Sequence, residues 1–206
     1  MKTVRAACFA MTLAIVGHAT ASGAGKSCED LASLALPDAK ITRAEPVTTG
    51  TFEKLTNLPA FCRVAATLTP SVDSAIKMEV WMPLDDWNGK FVGTGNGGAA
   101  GAIFYWEMAP ALARGYAVAN SDTGHEGGGA DWTFAIGHPE KLVDSGHRAV
   151  HEMTVQAKAI IAAHYGMPAR TITGSPSPTN NSVFVTSRPP RPGLPSGGRF
   201  SGLSSG

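Results

Sequence analysis

The chain has 206 residues, with 17 Lys and Arg against 16 Asp and Glu for a formal net charge of +1, and 43% of it is hydrophobic. Acids and bases are interspersed, so no basic face advertises nucleic acid and no charged tail advertises a membrane surface. The apolar content suffices for one domain with a real core, and partners must be argued from sites.

Lys2 and Arg5 precede the apolar stretch AACFAMTLAIVGHA, which runs into Ala19, Thr20 and Ala21, small residues of the kind a signal peptidase cuts. This pattern predicts a secretory signal peptide over 1–21 and a mature chain that is secreted or periplasmic. Thr12 and His18 interrupt the stretch, which is too short for a membrane anchor. Loss of the leader removes Cys8 and leaves Cys28 and Cys62 in an oxidising compartment. One disulfide is the simplest outcome, tying the mature N-terminus to the first strand, with two buried free thiols as the alternative. No C-x-x-C spacing points to metal.

Residues 61–69, FCRVAATLT, and 76–83, IKMEVWMP, are short β-branched and apolar runs separated by the turn-like PSVDS. They predict two antiparallel strands. The polar turn DDWNG at 85–89 leads into a third strand over 90–93 that ends in a glycine loop. Residues 103–114 have helical composition, Gly115 stops them, and 116–120 form a fourth strand. After a long loop over 121–144, Asp144 is the expected N-cap of a helix carrying Val150, Met153, Ala157, Ile160, Ile161 and His164 at helical spacing, closed by Gly166 and Pro168. Strand, helix, strand, helix after an antiparallel pair is α/β order.

The glycine loop, FVGTGNGGAAG over 91–101, satisfies G-x-G-x-x-G at Gly93, Gly95 and Gly98, and Asp122 closes the next apolar run where a ribose-binding acid would sit. A dinucleotide reading requires the following helix to start within the fingerprint, because the pyrophosphate rests on its N-terminus. Here an antiparallel pair comes first and the loop continues through Asn96 to Gly101. The alternative is the loop after the third strand of an α/β-hydrolase, which supplies a backbone N–H to an oxyanion hole. Glycine suits that task because a side chain would block the approach of a substrate carbonyl. Gly97 and Gly98 are the expected donors. A flexible loop with no role is the third reading.

Three ordered pieces decide between them: WNGKFVGTGNGG, ALARGYAVANSDTGH and HPEKLVDSGHRAVHEMTVQAKAIIAAHYG. Through these, residues 87–174 resemble the tannase and feruloyl esterase family of secreted α/β-hydrolases, and the positions of Cys28 and Cys62 suit it. The resemblance implies a partial α/β-hydrolase sheet with N-terminal antiparallel strands and hydrolysis, by a serine nucleophile, of small esters of aromatic acids such as gallate and ferulate. It implies no cofactor in this stretch, because the lid that often holds calcium in the family would follow the nucleophile. The family then places a G-C-S-x-G-G nucleophile turn, the lid, the catalytic Asp and a His followed by Cys.

Here the text after Gly174 reads Ser-Pro-Ser-Pro. The residue after the nucleophile must offer its N–H to the oxyanion, and Pro176 and Pro178, which follow Ser175 and Ser177, have none. A literal G-x-S-x-G at 202–206 places Ser204 in a Gly- and Ser-rich tail with no Asp or His after it, a coincidence of composition. More than half of residues 171–206 are Pro, Gly or Ser. The expectation is therefore a disordered tail over 175–206, a frameshifted or truncated reading frame, and no catalytic residue identified in the chain. A non-catalytic exported fragment or binding module is the alternative function.

His147 and His151, at i and i+4 with Asp144 a turn earlier, offer one rival chemistry, a metal site. The zincin order H-E-x-x-H is absent, so packing or polar contacts are expected instead. Asp122 and His125, in SDTGH, are expected to organise the loop near the active site rather than react.

Overall fold

A computed structural model describes residues 24–170. The predicted leader, the tail, the candidate strand at 171–173 and Ser175, Ser177 and Ser204 all lie outside the described residues.

A 3-10 turn, Glu29–Ser33, opens the fold. It is followed by β1 (Ala39–Val47), the short hairpin β2 (Thr51–Phe52) and β3 (Leu55–Thr56), and then β4 (Phe61–Leu68) and β5 (Ile76–Pro83). β6 (Phe91–Gly93), α1 (Tyr105–Leu112) and β7 (Ala117–Ser121) come next. The chain then makes α2 (Pro139–Val143), a π-helical turn (Asp144–Arg148) and α3 (Ala149–Tyr165). Five strands form one mixed sheet in the order β1-β4-β5-β7-β6. Every neighbouring pair in it is antiparallel except β6 with β7.

Both faces of the sheet are covered, and strand alternation assigns each side chain to one of them. Cys62, Val64, Ala66 and Leu68 of β4 share a face with Met78, Val80 and Met82 of β5 and pack against Met153, Ala157, Ile160 and Ile161 of α3. Phe61, Trp81, Val92 and Val118 look the other way and meet Met108, Ala111 and Leu112 of α1. Helices on both sides of a mixed sheet make this an α/β fold, as the element order predicts.

The predicted pair over 61–69 and 76–83 is observed as β4 and β5, in register from Phe61↔Pro83 to Leu68↔Ile76. Two differences have physical causes. β1 was not predicted: its sequence AKITRAEPV is half-exposed at the sheet edge, carries Pro46 and is bulged between Ile41 and Arg43, all features of an edge strand rather than an apolar run. Asp144 is not an N-cap. The helix begins at Pro139, the favoured residue for a first turn, and Asp144 sits inside the helical run with φ −59° and ψ −55°, buried and bonded to Arg148 at 3.0 Å.

Cys28 and Cys62 are joined by a disulfide across a separation of 34 residues. Because β1 comes first, the bridge ties the opening turn not to the first strand but to β4, with Leu31 of that turn fully buried beside it. In the chain-entropy model a loop of this size restricts the unfolded state by about 3–4 kcal/mol. At the other edge, Arg170 N donates to Gly89 O at 2.6 Å and Lys90 bridges Arg170 in parallel, so a further pairing begins beside β6.

The α1 face holds one buried carboxylate. Glu79 accepts from Nε and Nη2 along one edge of the Arg63 guanidinium, from Trp81 Nε1 at 2.9 Å and from the Tyr105 hydroxyl at 2.9 Å, while Arg63 also lies 4.6 Å from the Phe52 ring centroid. Burial, reinforced by Glu79, pushes the Tyr105 hydroxyl up to about 12. The charge is tolerated because every acceptor direction is filled. Glu79→Ala is expected to lower the unfolding free energy by about 3–5 kcal/mol, since it removes the carboxylate shared by Arg63, Trp81 and Tyr105 and leaves Arg63 only the partly exposed Glu45, 3.3 Å away. Urea denaturation checks this, and a loss below about 1 kcal/mol would show that the network carries little of the stability.

Candidate active site

β6 and β7 run parallel, with Phe91 opposite Ala117 and Gly93 opposite Ala119. Their C-terminal ends therefore point the same way, and the glycine loop leaving β6 meets the SDTGH turn leaving β7. Ligands of open α/β sheets bind at this end.

Side chains from β7 and from the loop itself hold the backbone in place. Thr94 N donates to Ala119 O at 2.8 Å, and Asn120 Nδ2 donates to Thr94 Oγ1 at 2.8 Å. Asn120 Oδ1 accepts from Phe104 N at 3.1 Å, so one buried asparagine grips both ends of the loop. Asn96 curls the middle: its Nδ2 lies 3.0 Å from Ala100 O, 2.9 Å from Ala102 O and 2.9 Å from Ser121 O. Opposite strand ends and loop carbonyls are thus joined by two asparagines that the glycine pattern did not single out. Asn120 was legible as a polar residue ending an apolar run, whereas Asn96 looks like an ordinary Asn-Gly turn.

At the tip, Ala100 N donates to Gly97 O at 3.3 Å and Ala99 N to Gly129 O at 2.8 Å, while Gly101 N reaches Gly127 O at 3.0 Å. Among the described residues no acceptor meets the N–H of Gly97 or Gly98, and both glycines are exposed. The C=O and N–H of a trans peptide point in opposite directions. Since Gly97 O faces inward to Ala100, the Gly98 N–H faces out of the turn. Gly98 has φ +59°, and a Cβ there would come 2.5 Å from Gly129 O, so glycine is required.

Beneath the tip lies the SDTGH turn. Asp122 Oδ1 accepts from Lys77 N and Gly124 N, both at 2.9 Å. Thr123 adopts φ +58°, an unusual state for a β-branched residue, and its hydroxyl donates to Asp122 O at 2.7 Å. His125 Nε2 lies 2.9 Å from Ala99 O, and its ring stacks on Phe134 at 3.5 Å between centroids. The carboxylate in the ribose position is thus committed to its own turn and to the start of β5. α1 does not begin until Tyr105, outside the glycine run, which is not the geometry a pyrophosphate needs.

The histidine pair lies elsewhere. His147 Nδ1 bonds Val143 O at 3.1 Å and His151 Nε2 is 4.0 Å from Glu152, both on an exposed face. They line an open pocket of about 460 Å³ with Asp38, Glu140 and Arg148, and no residue of the glycine loop borders it. Among the described residues no group of three His, Cys, Asp or Glu could hold a metal ion. Asp144 faces inward instead: a Cβ built on Gly124 would lie 3.3 Å from its Oδ2.

Burial raises the Asp122 carboxyl to about 6, against the two N–H bonds and the nearby Lys77 that lower it. Between about 4 and 6 the folded state keeps a proton that the unfolded state has released, so this group's contribution to stability falls as pH rises through that window and is level above it. Asp122→Asn keeps an acceptor for Lys77 and Gly124. The variant is expected to gain about 1–3 kcal/mol at pH 7 and to lose that slope. Thermal melts at pH 4 to 7 check it, and parallel pH profiles for the two proteins would contradict it.

Among the described residues no helix is long and apolar enough to cross a membrane. A model of the tannase and feruloyl esterase family matches residues 62–174, more than half of the chain. An uncharacterized esterase of Xanthomonas campestris pv. campestris is 40% identical over 159 residues, covering 74% of this chain and 28% of that protein. A probable feruloyl esterase B-2 of Aspergillus flavus is 41% identical over 109 residues, covering 53% of this chain and 20% of that one. The crystal structure of feruloyl esterase B from Aspergillus oryzae superposes with a TM-score of 0.62 at 30% identity, covering 70% of this chain and 30% of that one. The chain thus spans less than a third of the length of these relatives. Its fold, its glycine loop and the matched span together place it in the tannase and feruloyl esterase family.

Proposed function

We propose that this chain is the N-terminal part of an exported serine hydrolase for small esters of aromatic carboxylic acids, and that Gly97 and Gly98 supply N–H donors to its oxyanion. The observation that carries the reading is the pair of exposed, uncommitted N–H groups at a tip held from both sides, by the amides of Thr94, Ala99, Ala100 and Gly101 and by the Gly97 and Ala99 carbonyls. A tetrahedral intermediate needs such donors fixed before charge develops, so that no reorganisation accompanies the reaction. The feruloyl esterase names of the relatives supply the substrate class. The leader at 1–21 supplies the destination, periplasm or exterior.

Positioning alone does not cleave an ester; a nucleophile, a base and an acid are required. Among the described residues no serine hydroxyl meets a histidine ring. Pro176 and Pro178 make Ser175 and Ser177 unsuitable as the elbow. The same prolines favour a second reading, a non-catalytic exported fragment. Both readings expect the chain as written to show no serine-dependent turnover of methyl ferulate or an activated aryl ester. Turnover abolished by Ser204→Ala would overturn that expectation.

Reading the coding DNA beyond codon 174 in the other two frames separates the readings. The hydrolase reading expects a G-C-S-x-G-G run there and activity once the frame is restored. In that protein Gly98→Ala, which forces the tip away from Gly129, should lower kcat by about 10²–10³. Undiminished kcat would remove Gly98 from the oxyanion hole.

A further inference from the structure

We propose that His125 is a positioning residue that sets the direction of the Gly98 N–H. The proposal rests on the oxyanion reading of Gly97 and Gly98 and adds the group that aims them.

The histidine is buried, 5% exposed, and its ring lies between the loop and the Phe134 ring, 13° from parallel with the latter. A carbonyl oxygen can only accept, so the 2.9 Å contact to Ala99 O places a proton on Nε2. Nδ1 faces the Thr123 hydroxyl at 3.3 Å. Neither ring nitrogen meets a serine or a carboxylate, so this histidine is not arranged as a general base.

From Nε2 a rigid relay leads to the candidate donor. The Nε2–H fixes Ala99 O and with it the plane of the Ala99–Ala100 peptide. The N–H of that peptide belongs to Ala100 and donates to Gly97 O at 3.3 Å. The Gly97–Gly98 peptide is thereby oriented, and its N–H is the one left facing out. Two planar peptides and two hydrogen bonds connect the imidazole to the Gly98 donor. Gly101 lets the ring come this close: a Cβ there would lie 2.7 Å from His125 Cδ2 and 2.5 Å from His125 O. The strained Thr123 and the doubly bonded Asp122 hold the turn from which the ring projects.

The test is nitrogen-15 NMR of the full chain as wild type, His125→Phe and His125→Gln. Phenylalanine keeps a ring against Phe134 but has no N–H, whereas glutamine keeps a donor. In wild type, a slowly exchanging Nε2–H coupled to the Ala99 carbonyl is expected. In the Phe variant, exchange at the Ala100 amide should rise about tenfold, the size of one lost hydrogen bond, and the Gly98 resonance should move while β4, β5 and β7 stay unchanged. The Gln variant should restore both. Loop resonances that are unchanged in the Phe variant would overturn the proposal, and so would equal changes in both variants, which would mean packing alone. Should the variants not fold, the wild-type ring decides: an unprotonated or rapidly exchanging Nε2 refutes the relay. These readouts are independent of kcat, so a failure of the oxyanion reading would show in the Gly98 kinetics and not here.

Discussion

The parallel pairing of β6 with β7 is the constraint on which the site depends. Antiparallel strands would send the glycine loop and the SDTGH turn to opposite ends of the sheet. Their parallel pairing, made possible by the α1 crossover between them, brings both to one end. Bonds from Thr94 to Ala119 and from Asn96 to Ser121 hold the loop across that junction. The buried Glu79 network secures the crossover itself, because Tyr105 at the start of α1 donates to a carboxylate on β5.

The loop's economy of polar groups follows from its place. Between Thr94 and Phe104 the backbone crosses a region where several neighbours are buried, so an unmade hydrogen bond is costly. Asn96, Asn120 and His125 meet those backbone groups with side chains, leaving the exposed tip free. Burial therefore selects which N–H groups remain available. The buried amides of Thr94, Ala99, Ala100 and Gly101 are bound, and the exposed amides of Gly97 and Gly98 are left to solvent or to a substrate. Asn96 Oδ1 is an exception, shielded and without a partner among the described residues.

The sequence made the central architecture legible because its signals were local. The alternation of β4, the stop at Gly115 and the glycine run each sit within a few residues, and all three recur in the structure. β1 was illegible because an edge strand with Pro46 and alternating charge carries no apolar period. Asp144 misled because an acidic residue ahead of a periodic run looks like a cap, whereas the actual start was marked by Pro139 and Glu140. Gly97 and Gly98 could be named as candidates, but not the relay behind them: the reach from His125 to Ala99 depends on a register between strands far apart in the chain. Long-range hydrogen bonds leave no mark in a local pattern.

The account's central claim is that a rigidly held loop presents the free amides of Gly97 and Gly98 at its exposed tip. Residue-resolved hydrogen exchange on the wild-type chain addresses it most directly. The account predicts that Gly97 and Gly98 exchange near the rate of an open chain while Thr94, Ala99, Ala100 and Gly101 are slowed by their bonds to Ala119, Gly129, Gly97 and Gly127. Uniform exchange from 94 to 101, whether fast throughout or slow throughout, would contradict it.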